Sequence, residues 1–228
     1  CLERKRLHDL EREQKRILSD TFAKYVAQEV RDEVLSGKIP LDGEIKDVSV
    51  LFADLRDFTP LTESTSPKDV VRMLNTYFSE MAPVIQQHRG SILRYVGDEI
   101  YAVFGAPLPL KDHPNCALGA ALDMRRLLEV VNEKLEQQNY PRLNHGIGIH
   151  SGLVVAANIG SPQRLSYDFV GDTVNLASRI QNLTKKFGAD ILISSTTRDR
   201  ITDYYPMEKL PAVTVKGMKN PVELFRVI

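Results

Sequence analysis

Hydrophobic and polar positions divide this chain into a charged front segment and a patterned body. The first segment, "CLERKRLHDLEREQKRILSDTFAKYVAQEVRDEVLSG", is charge-dense, free of proline and stopped by Gly37. Leu7, Leu10, Ile17 and Leu18 form a narrow apolar stripe along it, so the pattern predicts a helix with a coiled-coil seam. "KIPLDGEIK" interrupts the pattern with Pro40 and Gly43 and sets a domain boundary between residues 36 and 45. A helical connector is therefore expected over residues 1–40 and a globular domain over 45–228.

From Asp47 onward, short β-rich runs alternate with long amphipathic stretches, which predicts a sheet covered by helices. "DVSVLFADL" reads as a strand. Ser66 as N-cap, Pro67 at the first helical position and Asp69 as a capping-box partner start a helix. Its stripe of Val70, Leu74, Tyr77, Phe78, Met81 and Ile85 is core material. "SILRYVGDEIYAVFG" reads as two strands joined at a Gly97–Asp98 turn, and a second long helix runs from about Asp112 to Gln137. "NHGIGIHSGLVVAANIG" is expected to be a hairpin, a helix begins at Thr173 after an Asp172 N-cap, and strands around "VTVKGMKNPVELFRVI" close the domain. The fold class is thus α+β, a ferredoxin-like βαββαβ core with a C-terminal β extension and an N-terminal connector helix.

Composition changes this picture little. In 228 residues, 30 Lys and Arg offset 30 Asp and Glu, so no global field draws the chain to nucleic acid or an anionic membrane. Two cysteines, Cys1 and Cys116, make no disulfide framework and point to a reducing, cytoplasmic setting. No apolar run is long enough to cross a bilayer, so direct membrane insertion by this chain is not expected. A start at Cys1 rather than Met suggests a fragment lacking an upstream regulatory domain, one that could anchor the full protein in a membrane.

The chemistry gathers on acidic and basic singletons. Asp54 near the end of "VLFADL" and Asp98 in the hairpin turn can converge on one sheet edge, and two carboxylates on rigid elements suit a hard cation shared with phosphates. Each alone reads as a turn or capping residue. Asn175 and Arg179, spaced i, i+4 in "DTVNLASRI", share a helical face, and Lys216 sits in the "VKG" junction. An amide, a guanidinium and an ammonium match a ribose and its phosphates. His88, His113, His145 and His150 lack ligand spacing and are assigned to structure, with "GIGIHSG" read as a strand turn.

In order and spacing, "LFADLRDFTPLTE", "RYVGDEIYAVFG", "YDFVGDTVNLASRI" and "VKGMKNPVELFRV" resemble the class III nucleotide cyclase catalytic domain, over roughly Asp47 to Ile228. "FAKYVAQEV" is similar to the connector upstream of many bacterial members. The resemblance implies a homodimer with two shared sites, forming cyclic AMP from ATP. Asp54 and Asp98, with the Leu55 carbonyl, would bind two Mg2+ or Mn2+ ions per site. The partner's copies of Asn175, Arg179 and Lys216 would orient the ribose, stabilise the α-phosphate and hold the terminal phosphates.

Two positions depart from the family pattern. Arg94 stands where adenylate cyclases usually carry lysine and guanylate cyclases glutamate, while Asp168 is the usual acidic partner for adenine. A cationic donor with a carboxylate complements adenine N1 and N6, although Arg94's wider fork could also address guanine O6. Asp57 occupies a position where many relatives have glycine, placing a negative charge beside a triphosphate site unless it points away or caps the next helix. The alternatives are a guanylate cyclase, a degenerate homologue that binds nucleotide as a signalling module, and a diguanylate cyclase. Val96 and Ile100 in the "RYVGDE" loop count against the last.

Overall fold

The structure, a computed structural model, describes residues 43–161, 164–215, 218 and 220–228. The expected connector helix and Lys216 lie outside these residues.

β1 (Glu44–Leu55) is longer than its apolar pattern suggests and is buried on both faces from Val48 to Ala53. It runs antiparallel between two strands, β3 (Glu99–Phe104) and β4 (His145–Ser161). A short helix, α1 (Phe58–Ser64), and a long one, α2 (Pro67–Gln87), lead from β1 to β2 (Gly90–Val96). α2 begins as predicted, with Ser66 Oγ accepting from the Asp69 N–H at 3.3 Å and donating to the Asp69 carboxylate at 2.6 Å. β2 and β3 form the expected hairpin, with Gly97 at φ +64 in its turn, a left-handed backbone that glycine adopts without strain. α3 (His113–Glu136) then returns the chain to β4.

The remaining elements are β5 (Arg164–Val170), α4 (Asp172–Phe187), β6 (Ile191–Ser194), α5 (Ser195–Arg198), β7 (Met207–Lys209) and β8 (Leu224–Val227). The sheet order is β2-β3-β1-β4-β6-β8-β7, with β5 paired to β4. Its first four strands and the helices between them are the predicted ferredoxin-like core. α2 and α3 cover one face, burying Met73, Tyr77, Met81, Leu118 and Met124 against the strands. On the other face, Val48, Val50, Phe52 and Tyr101 pack against Phe169 of β5 and Ala177 of α4. No described helix is long and apolar enough to cross a membrane.

Two expectations need correction. "NHGIGIHSGLVVAANIG" is not a hairpin but the body of one 17-residue strand, and the chain turns back only after Ser161. Gly146, Gly148 and Gly152 fall two and four residues apart and therefore face the same side. A Cβ there would meet Thr184 Oγ1 at 2.1 Å, the Gln181 backbone nitrogen at 2.2 Å and Thr173 Oγ1 at 2.7 Å, all on α4. These glycines admit a close helix rather than a turn. The N-cap of α4 is Gly171, and Asp172 is instead its first residue, an acid in the positive first turn.

Candidate active site

Strand register brings the two predicted carboxylates together. Ala53 pairs with Ile100 across β1 and β3, so continuing the ladder toward the end of β1 sets Asp54 and Leu55 level with Glu99 and Asp98. The Asp54 and Asp98 carboxylates therefore lie close together at this strand end, both on the wall of one cavity. Burial, then the Asp98 carboxylate and Glu99, push the Asp54 pKa up to about 7, opposed by the N–H of Leu55 donating to the carboxylate. Glu99 opens β3 and is also raised, by burial and by Asp98. Behind this acid, the buried Tyr77 hydroxyl shares a 3.0 Å hydrogen bond with His145 Nδ1.

α4 supplies the opposite wall. Because it lies flush on Gly146 and Gly148, its last two turns reach the end of β1. There Gln181, Asn182, Thr184 and Lys185 face Asp54, Asp98 and the segment from Leu55 to Pro60 across a cavity of about 370 Å³. Gln181 Nε2 donates to the Gly146 carbonyl at 3.3 Å. That bond fixes the amide orientation and leaves Gln181 Oε1 buried without a partner, as are Arg56 Nε and His145 Nε2 nearby. Arg56 Nη2 donates to the Ala189 carbonyl at 2.6 Å and lies 3.4 Å from Asp190. No cluster of three metal-ligating His, Cys, Asp or Glu side chains exists among the described residues. Two crowded carboxylates beside a backbone carbonyl nevertheless make an all-oxygen donor set, the kind magnesium shares with waters and phosphates.

A second cluster forms on the sheet face that also carries Phe52. The β2–β3 register shifts between Ile92 and Arg94, a bulge that sets Arg94 opposite Tyr101. Its guanidinium stands 5.4 Å from the centre of the Tyr101 ring, and that ring stacks on Phe52 at 4.6 Å. Arg94 Nη1 meets Asp168 Oδ2 of β5 at 2.9 Å, and the other Asp168 oxygen accepts from the Phe169 N–H. Tyr101 Oη is buried without a partner beside this pair.

The predicted residues thus fall into separate groups. Asp54, Leu55 and Asp98 share the cavity; Arg94 and Asp168 pair elsewhere and do not line it. Asn175 and Arg179 lie one turn apart on α4 and are also absent from its walls. Asp57 stands at the N-cap position of α1, but its side chain makes no cap bond and instead pairs with Lys185 Nζ at 2.5 Å. Gln181, Lys185 and the Tyr77–His145 pair escaped the sequence reading. The alternating Gly146 and Gly148, read as helix contacts instead of turn residues, are the signal that leads to the first two.

The family model described as adenylate and guanylate cyclase catalytic domain matches residues 42–228. Adenylate cyclase 1 of Rhizobium meliloti is 32% identical over 210 residues, covering 91% of this chain and 32% of that protein. The chain therefore spans about a third of that curated relative. Among solved structures, the guanylyl cyclase Cya2 is 37% identical with a TM-score of 0.74, covering 81% of this chain and 93% of that one. The adenylyl cyclase CyaB of P. aeruginosa is 29% identical with a TM-score of 0.75, covering 81% and 95%.

Proposed function

The chain belongs to the adenylate and guanylate cyclase catalytic domain family, and from that premise we propose that two copies convert ATP to 3′,5′-cyclic AMP and pyrophosphate. The observation that carries this reading is the close Asp54–Asp98 carboxylate pair lining a cavity at the end of β1. Asp54, Asp98 and the Leu55 carbonyl would hold two Mg2+ or Mn2+ ions. When bound, such ions lower the pKa of the attacking ribose 3′-hydroxyl and neutralise charge on the leaving pyrophosphate. The chain's own groups then position and stabilise: Asn175 orients the ribose, Arg179 offsets charge developing on the α-phosphate, and Lys216 holds the terminal phosphates.

Separation of these groups within one chain supports a homodimer, in which the carboxylates of one copy face Asn175, Arg179 and the Arg94–Asp168 pair of the other. Base choice rests on that ion pair. Arg94 supplies a donor for adenine N1 and Asp168 an acceptor for the N6 amino group. A second reading, GTP, has its own support, because the guanylyl cyclase Cya2 is 37% identical and an arginine fork can address guanine O6.

The deciding experiment is product formation from ATP and from GTP, with magnesium or manganese, over a range of protein concentrations. Cyclic AMP with specific activity rising with concentration is the expected result. Cyclic GMP would overturn the base assignment, and absence of any product would overturn the enzyme reading in favour of a nucleotide-binding module.

A further inference from the structure

We propose that Lys185 is a phosphate-binding residue of the carboxylate cavity, masked by Asp57 until a pyrophosphate or the triphosphate of a nucleotide displaces that carboxylate. The identity of the anion rests on the cyclase reading; the mask does not.

Position is the first ground. α4 packs tightly on the sheet, with Gln181 where a Cβ of residue 148 would stand, and Lys185 follows Gln181 by one helical turn on the same side. Its root is thereby held at the wall facing Asp54 and Asp98. The second ground is availability. Of the two described cations lining the cavity, Arg56 is committed to the Ala189 carbonyl and Asp190. Among the described residues Lys185 is held by Asp57 alone, through side chains that remain 71% and 68% exposed. An exposed pair of this kind contributes little to stability and yields readily to an anion of higher charge.

The third ground is Asp57 itself. Its backbone lies at φ +55, a left-handed conformation that glycine adopts freely and aspartate tolerates. The side chain is not spent on capping α1, so what aspartate adds over glycine is a charge directed at Lys185. The arrangement is reciprocal. A polyphosphate takes Lys185 from Asp57, and Asp57 competes to retrieve it, which weakens the hold on pyrophosphate and favours its departure.

The test is calorimetric titration of the whole chain with magnesium pyrophosphate, alongside KM for nucleotide and inhibition by pyrophosphate. Lys185→Met should weaken pyrophosphate binding roughly tenfold, the size of one charged hydrogen bond. Asp57→Asn, which keeps tolerance of the left-handed backbone, should tighten it roughly two- to fivefold. That gain should vanish in the double variant. A change of less than about twofold in Lys185→Met, looser binding in Asp57→Asn, or no pyrophosphate binding by the parent chain would overturn the assignment. If Lys185→Met does not fold, the sign of the Asp57→Asn effect decides. Pyrophosphate binding that depends on Lys185 in a chain that makes no cyclic nucleotide would uphold this site and overturn the cyclase reading.

Discussion

The β1–β4 strand pair carries two polar clusters that are built in opposite ways. Midway along it, Ser49 Oγ lies 2.7 Å from Ser151 Oγ and 2.8 Å from His113 Nδ1. Ser151 continues to Thr197 at 3.1 Å, Thr197 to Ser194 at 3.0 Å, and Ser194 to His150 Nδ1 at 2.7 Å. None of these atoms is among the buried described atoms left without a partner. Five residues further along β1, at the Asp54 end, acids crowd one another, and Arg56 Nε, His145 Nε2 and Gln181 Oε1 are unpartnered. The closed network serves the fold, because each hydroxyl spends its bonding capacity inside the chain. The open cluster holds unspent donors and acceptors beside crowded carboxylates, an arrangement suited to a bound cation or substrate.

Asp98→Ala should break the open cluster most. Activity should fall at least about a hundredfold, beyond the usual loss for a group that merely supports a metal ligand, while circular dichroism and melting temperature stay near the parent's. Retained turnover would remove the carboxylate pair from the chemistry.

In the closed network, Ser151→Ala should do the reverse, costing about 1–3 kcal/mol and lowering the melting temperature by roughly 2–4 °C per kcal/mol, with turnover per folded molecule unchanged. An active-site defect in this variant would erase the distinction between the two clusters.

Protonation separates them further. The folded pKa of Asp54, about 7, exceeds its ordinary value of 3.8, so the folded chain binds that proton more tightly than the unfolded one. Stability is therefore lost as pH rises from about 4 to 7, and the full cost persists above 7. Asp54→Asn should raise the melting temperature of the metal-free protein at pH 8 and leave it unchanged at pH 4. Added Mg2+ should stabilise the parent and not this variant.

His150 in the closed network moves the other way. Burial, with help from Arg200, lowers its pKa from 6.5 to about 4, so its contribution is present above pH 6.5 and lost as pH falls toward 4. His150→Gln should flatten the melting-temperature profile over that window. The smallest expected effect is on base choice: Arg94→Lys should sharpen preference for ATP, and an unchanged ATP to GTP ratio would show that Arg94 does not read the base.

Much of this was legible along the chain. Ser66 with Pro67 and Asp69, the Gly97 turn, and the apolar stripe with Tyr77 and Met81 act over a few residues, so local chemistry sufficed to place α2 and the β2–β3 hairpin. The hairpin expected in "NHGIGIHSGLVVAANIG" failed because a glycine that turns a chain and one that admits a helix look alike until the partner is known. Asp57 and Lys185 lie 128 residues apart, and no pattern relates them.

The sequence by itself determined the order of the βαββαβ core, the acids that gather at the end of β1, and the family, because periodicity, turn chemistry and motif spacing are properties of neighbouring residues. Tertiary structure alone decided that Arg94 faces Asp168, that α4 closes a cavity over Asp54 and Asp98, and that Asp57 holds Lys185. Those outcomes depend on a bulge, on strand register and on the approach distance of a helix, which are fixed only when distant segments pack together.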